Sequence, residues 1–223
     1  RIPKLYSCAA GLGSRDIRGC HFNSIIKNML AAQPKEFSCV GVKHKLELPE
    51  AEDPDLRPGG AFSMRGHSVG GFGSVTTNKL IASFVGELFN LHVQAYPKYG
   101  SEKKGAPTNY YLTVAPSQIK VNCELNHVDV VLCCDPKAFT HTNPLEGIKK
   151  GGCLVWESSD SPETAWQRVP AKYRQFVKEN NIRVFILPGF DIARKATNQT
   201  ELQLRMQGNS FLGAFFRVSP FLK

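Results

Sequence analysis

The sequence predicts an open α/β domain, a mainly parallel sheet with flanking helices, preceded by an extended connector arm. Three observations carry this. From Ala61 onward, strand-like apolar runs alternate with segments of helical periodicity, the pattern of β-α-β units whose strands pair in parallel. Val128–Cys134 is an unbroken apolar run closed by Asp135-Pro136, as in a strand covered on both faces. Residues 1–60 do not share the alternation. Gly11, Gly13 and Gly19 interrupt their start, a short helical pattern (Phe22, Ile25, Ile26, Met29, Leu30) and an alternating stretch from Phe37 to Leu48 follow, and they end in an acidic run punctuated by Pro49, Pro54, Pro58, Gly59 and Gly60. The division is thus an arm, 1–60, and an α/β domain, 61–223.

Within the domain, Ala61–Arg65 reads as a short strand leading into a glycine-rich turn. Ser74–Phe89 follows as an amphipathic helix with Leu80, Ile81, Phe84, Val85 and Leu88 on one face. Leu91–Tyr96 and Thr108–Val114 are strands on either side of a charged loop. After Val128–Cys134 come a strand at Cys153–Glu157, a helix at Thr164–Asn180, a strand at Arg183–Leu187 and a long helix at Ile192–Phe216. Such an order gives a Rossmann-like sheet. Val218, Phe221 and Leu222 lie beyond the last helix and are expected to pack on a neighbouring domain or subunit.

Composition narrows the function classes. With 42% apolar and 21% charged residues the chain is neither disordered nor a coiled coil. No apolar run reaches the ~18 residues of a membrane span, and the first residues form no secretory core, so a cytoplasmic protein is expected. The chain lacks an initiator Met, which reads as a piece of something larger. Seven cysteines occur without any C-x-x-C, so zinc ribbons and ferredoxin-type clusters have no support and the thiols read as reduced. The net charge of +9 points to an anionic partner, although a solvated basic surface would account for it equally well. Aromatics do not interleave with the basic residues and no recognition motif is present, so nucleic acid is disfavoured.

The main chemical signal is Gly66-His67-Ser68-Val69-Gly70-Gly71-Phe72-Gly73, between a strand and a helix. Glycines Gly66, Gly70, Gly71 and Gly73 would let the backbone turn sharply and bring amides close to an anion at the helix N-terminus. They would also serve tight strand–helix packing with no ligand. The spacing is not that of a dinucleotide fingerprint, and Leu91–Gly100 holds no acid to grip a ribose, so a nicotinamide cofactor is disfavoured. Instead Lys103 and Lys104 follow on a glycine-bounded loop, offering charge to a ligand with several phosphates. Tyr99 and Ser101 of that loop, with Ser68, Ser74 and Asn109, are further candidate contacts. His67 could act as an acid or base, but a histidine in a loop more often bonds locally. The six histidines are scattered, and no catalytic or metal constellation emerges.

The glycine segment, the run Gln94–Pro107, the strand ending in Asp135-Pro136, the turn Glu146-Gly147-Ile148-Lys149-Lys150-Gly151-Gly152 and the tail Met206–Phe216 together resemble the gamma domain of pyruvate:ferredoxin oxidoreductase and related 2-oxoacid oxidoreductases. Residues 8–60 look like the connector before that domain. The resemblance implies a share in oxidative decarboxylation of a 2-oxoacid to acyl-coenzyme A. Thiamine diphosphate, Mg and [4Fe–4S] clusters would sit in other domains or subunits, ferredoxin or flavodoxin would take the electrons, and this domain would contact the coenzyme A phosphates. The loop departs from commoner members at Lys103-Lys104, where some carry Arg or a different pair. A stand-alone nucleotide-binding or regulatory α/β module without redox activity is the alternative.

Overall fold

The computed structural model describes residues 55–98, 105–120 and 125–221. The chain divides into two units, Arg1–Leu56 and Arg57–Lys223, and the sheet with its helices belongs to the second. Arg57 Nη1 is tied to that sheet by bonds to Asp129 Oδ2 at 2.9 Å and Ser63 Oγ at 3.1 Å.

Six strands, β1 (Phe62–Val69), β2 (His92–Lys98), β3 (Pro107–Ala115), β4 (Val128–Cys133), β5 (Ile148–Glu157) and β6 (Arg183–Leu187), lie in the order β2-β3-β1-β4-β5-β6. Among the described residues the helices are α1 (Ser74–Phe89), α2 (Ala138–His141), α3 (Pro162–Arg168), α4 (Ala171–Glu179), α5 (Gly189–Ala196) and α6 (Thr200–Val218). β1, β4, β5 and β6 pair in parallel in that sequence, whereas β3 pairs antiparallel with both β1 and β2. The sheet is therefore mainly parallel but mixed. β3 reverses because residues 99–106 join it to β2, too few for a crossover that would bring the chain back to the same end. β2 is an edge strand, which is where Pro97 can be accommodated. Among the described residues no helix is long and apolar enough to cross a membrane.

Alternation along β1 divides the domain into two layers. Met64 faces α1 and α6, in a core with Ile81, Val85, Leu112, Leu132, Val155, Phe211 and Phe215. On the opposite face Val131, Cys133, Leu154 and Trp156 pack under Phe139, Ala165, Val169 and Val177 of α2 to α4 and the turns between them. Each large side chain so buried contributes about 1.5–3 kcal/mol. Cys133, Cys134 and Cys153 are buried in these layers, and burial raises all three thiols, Cys153 to about 11. They are inert core residues at neutral pH.

Three sequence expectations are corrected. The helix expected at 164–180 breaks at Val169-Pro170, because proline has no N–H to continue the ladder, and restarts at Ala171. The long helix expected at 192–216 is two helices. Thr197 interrupts it: its hydroxyl accepts from Gln199 N at 3.2 Å and its carbonyl from Gln203 Nε2 at 2.8 Å, local bonds that compete with the helix. Val218 and Phe221 pack, partly buried, on this domain's own core. A turn at Ser219-Pro220, held by Ser219 N to Phe215 O at 2.9 Å, folds the chain back. Phe221 then stacks 5.3 Å from Phe62 and 5.4 Å from Phe89, and Val218 packs on the same core. Leu222 lies outside the described residues.

Thr77 and Asn78 of α1 are wedged between β1 and α6. A Cβ on Gly208 of α6 would overlap Thr77 Oγ1 and stand 3.0 Å from Thr77 Cβ; one on Gly66 would overlap the Asn78 amide. Gly213, also in α6, has open space around it. Ordinary helix propensity therefore holds at one glycine and fails at the other. Gly213→Ala is expected to stabilise by about 0.5–1 kcal/mol, and Gly208→Ala to destabilise by about 1–3 kcal/mol through overpacking. Urea melts of the two variants against the wild type check this.

Candidate functional site

The glycine segment divides in two. Gly66–Val69 is the second half of β1, not a loop, because the antiparallel pairing with β3 continues to Val69 opposite Pro107. Gly66 has no room for a side chain, and Ser68 is 1% exposed with its hydroxyl directed at the Val69 carbonyl. Neither is available to a ligand; they serve strand–helix packing. The turn proper is Gly70–Gly73. Gly71 (φ 105°) and Gly73 (φ 73°) lie in the left-handed region that side chains disfavour, which is why the turn needs glycine there.

Gly70 extends the hairpin: its N–H donates to Ala106 O at 2.9 Å and its carbonyl accepts from Gly105 N at 3.3 Å. Thr76 N and Thr77 N bond back to Gly73 O. Among the described residues, the amides of Gly71, Gly73, Ser74 and Val75 meet no backbone acceptor, and α1 has no side-chain cap and no acid in its first turn. These amides and the helix dipole suit a negative charge.

The turn stands where the topology switches. From β1 the chain passes through α1 toward β2, while from the neighbouring β4 it passes through α2 toward β5, the switch of direction at which open α/β sheets place their ligand crevices. Cys134 N donates to His67 O at 2.8 Å across that junction. Asp135, just beyond, is held by Lys137 N at 2.9 Å and by His141 Nε2, 2.9 Å from its Oδ2, while its carbonyl accepts from Trp156 Nε1 at 3.1 Å. On the far side, Phe72 stacks edge-on to Phe190 of α5 at 5.5 Å. Glu157, buried at the end of β5, accepts from Phe190 N at 3.3 Å and from Gln207 Nε2 at 2.7 Å. Burial raises the Glu157 carboxyl, and the Gln207 and backbone bonds oppose that rise. Gln207 also reaches Cys134 O at 3.1 Å, so one amide ties α6 to the ends of β4 and β5.

Of the candidate contacts, Gly70, Gly71, Gly73 and Ser74 meet in this turn. Asn109 does not join them. It points to the opposite face of the sheet and bonds His67 Nδ1 at 2.8 Å. Tyr99, Ser101, Lys103 and Lys104 lie outside the described residues, between Lys98 at the end of β2 and Gly105 at the root of the turn. Sequence reasoning missed Arg205. A Cβ on Gly73 would stand 3.3 Å from Arg205 Cα, so α6 brings this exposed cation beside the turn from 132 positions along the chain. No local motif signals such a neighbour.

His67, 3% exposed, is fixed at both nitrogens. Nδ1 lies 2.8 Å from Asn109 Oδ1 and Nε2 2.9 Å from Thr142 Oγ1, whose hydroxyl also donates to Ala138 O at 2.8 Å. Burial, aided by nearby Arg65, lowers its pKa to about 4, so the ring is neutral at pH 7.

A family model described as pyruvate ferredoxin/flavodoxin oxidoreductase matches residues 63–223. The chain is 26% identical over 212 residues to pyruvate:ferredoxin oxidoreductase of Moorella thermoacetica, an alignment covering 94% of this chain and 18% of that one. It is 25% identical over 224 residues to pyruvate-flavodoxin oxidoreductase of Enterobacter agglomerans, covering 99% of this chain and 19% of that one. The chain thus spans under a fifth of the length of these relatives. Among solved structures, the pyruvate oxidoreductase subunit PORC of Thermotoga maritima superposes with a TM-score of 0.52 at 22% identity, covering 71% of this chain and 76% of that one, which is a likeness of fold.

The His67 ring makes stability pH-dependent with a definite sign. Between the unfolded value near 6.5 and the folded value near 4, the unfolded chain binds more protons, so stability rises with pH across that window. Lowering the pH from 7 to 4.5 is expected to cost about 2–3 kcal/mol through this group, and His67→Gln should remove that share. Urea midpoints of both proteins at the two pH values measure it; equal pH dependence would refute it.

Proposed function

The chain belongs to the pyruvate ferredoxin/flavodoxin oxidoreductase family, and from that premise we propose that it is the gamma-type, coenzyme A-contacting part of a 2-oxoacid oxidoreductase. The whole enzyme would convert a 2-oxoacid and coenzyme A to acyl-coenzyme A and carbon dioxide, passing two electrons to ferredoxin or flavodoxin. Thiamine diphosphate with Mg would stabilise the decarboxylation carbanion, and [4Fe–4S] clusters would carry the electrons. Other domains or subunits would hold both. Among the described residues no three of His, Cys, Asp and Glu gather as metal ligands, and the three described cysteines are core thiols, so they do not fit a cluster.

This chain would contribute an anion clamp. Coenzyme A carries a pyrophosphate and a phosphate monoester, and the crevice offers amides of Gly71, Gly73, Ser74 and Val75, with Arg205 at its side. The observation that carries the reading is the bond from Gly105 N to Gly70 O. It ties Gly105 to the glycine turn that precedes α1, and in the sequence Lys103 and Lys104 stand immediately before Gly105. Phosphate contacts from lysines are charge-assisted, and helix amides orient them.

Replacing either Lys103 or Lys104 by Ala is expected to raise the coenzyme A Michaelis constant about tenfold or more, since a charge-assisted bond contributes about 1.5–3 kcal/mol. Arg205→Ala, at an exposed position, should raise it roughly two- to fivefold. Steady-state kinetics of the assembled enzyme decide the matter, and unchanged constants in all three variants would end the clamp reading.

A further inference from the structure

On the face of the sheet opposite α1 lies a second concavity, and we propose that it binds a small carboxylate anion against Arg65. The cavity, about 300 Å³, is lined by Arg65 and His67 of β1, Asn109 and Tyr111 of β3, Lys98 at the end of β2, and Glu146. It exists because of the reversed strand. β2 and β3 are joined without a crossover, so among the described residues no helix covers this half of the sheet on this face. Cross-strand pairing then sets Arg65 beside Tyr111, and His67 beside Asn109, which pairs in turn with Lys98.

Arg65 is the reason to expect an anion. It is 4% exposed, at the centre of a sheet, and a guanidinium does not give up its proton in proteins. Nη2 donates to Pro144 O at 2.6 Å, while Nε is buried with no partner. Among the described residues no carboxylate lies within ion-pair distance of it. Glu146 lines the same cavity but is exposed, so water screens its charge. Burial weakens the hold of Arg65 on its proton more than its neighbours strengthen it, which is the sign of a charge not fully compensated. A buried charge of this kind is costly unless it is paired.

The remaining groups set the class of ligand. His67 is neutral and both its nitrogens are engaged, so it is a fixed wall and no competing cation. The single guanidinium of Arg65 matches a monoanion and would be overcompensated by a phosphate dianion. The volume lies at the low end of ligand sites, so it suits a metabolite of a few carbons and excludes a nucleotide. A planar carboxylate also matches the guanidinium fork. The inference is independent of the coenzyme A reading, which concerns the crevice at the start of α1.

The test uses the assembled enzyme with acetate as probe and chloride holding ionic strength constant. Acetate is expected to raise the melting temperature saturably above the chloride control. Arg65→Met should weaken the apparent acetate constant by roughly tenfold or more, and Lys98→Gln, at the rim, by roughly two- to fivefold. Should Arg65→Met fail to fold, Lys98→Gln and the wild-type titration still decide. No response beyond chloride, an acetate constant untouched by the substitutions, or inorganic phosphate binding more tightly than acetate would each overturn the proposal. So would a coenzyme A Michaelis constant that moves in Arg65→Met as far as the acetate constant, because the cavity would then belong to the coenzyme site.

Discussion

The arrangement of this domain depends on how closely helix α1 is pressed between strand β1 and helix α6. Thr77 and Asn78 occupy the space that side chains at Gly208 and Gly66 would need. That double contact holds α1 close against both neighbours. It determines where the unpartnered amides of the glycine turn stand, and it brings Arg205 of α6 against Gly73.

A second set of bonds locks the opposite rim of the same crevice. Glu157 and Gln207 are both 1% exposed, and a buried polar pair is tolerable only when it is hydrogen-bonded. Here the carboxylate meets the first amides of α5 and the Gln207 amide, which also reaches the end of β4. The site is thus framed by rigid elements, with the Phe72–Phe190 contact joining its two sides. For the anion clamp proposed above, rigid framing would leave little ordering cost.

Much of the fold was legible in the sequence. The helix Ser74–Phe89 and the strand Arg183–Leu187 were readable to the residue, because a 3.6-residue apolar period and a short apolar run closed by Pro188-Gly189 are local signals. What escaped was non-local. The extension of β1 through Gly66–Val69 depends on pairing with β3, and glycines in a strand look like a loop when the partner is unseen. The role of Asn109 was hidden for the same reason: only the register that sets it opposite His67 reveals that its side chain is already engaged. Arg205 gave no sign, since nothing near Met206–Phe216 hints at Gly73. The fate of Phe221 turned on Ser219-Pro220, a short reversal that apolar counting cannot distinguish from an exposed tail.

The place of β1 in the sheet carries a cost during synthesis. It is the central strand, yet it emerges from the ribosome before either of its partners: it ends at Val69, while β3 begins at Pro107 and β4 at Val128. At roughly 5–20 residues per second, several seconds pass in which both of its edges are open. An unpaired strand is a template for association with other chains. Here the exposed sequence, Phe-Ser-Met-Arg-Gly-His-Ser-Val, interleaves its apolar residues with a cation, a glycine and small polar side chains. Arg65 and Gly66, which shape the finished molecule, thus also break the apolar run of the first described strand, the kind of interruption that lowers the aggregation tendency of an unpaired strand.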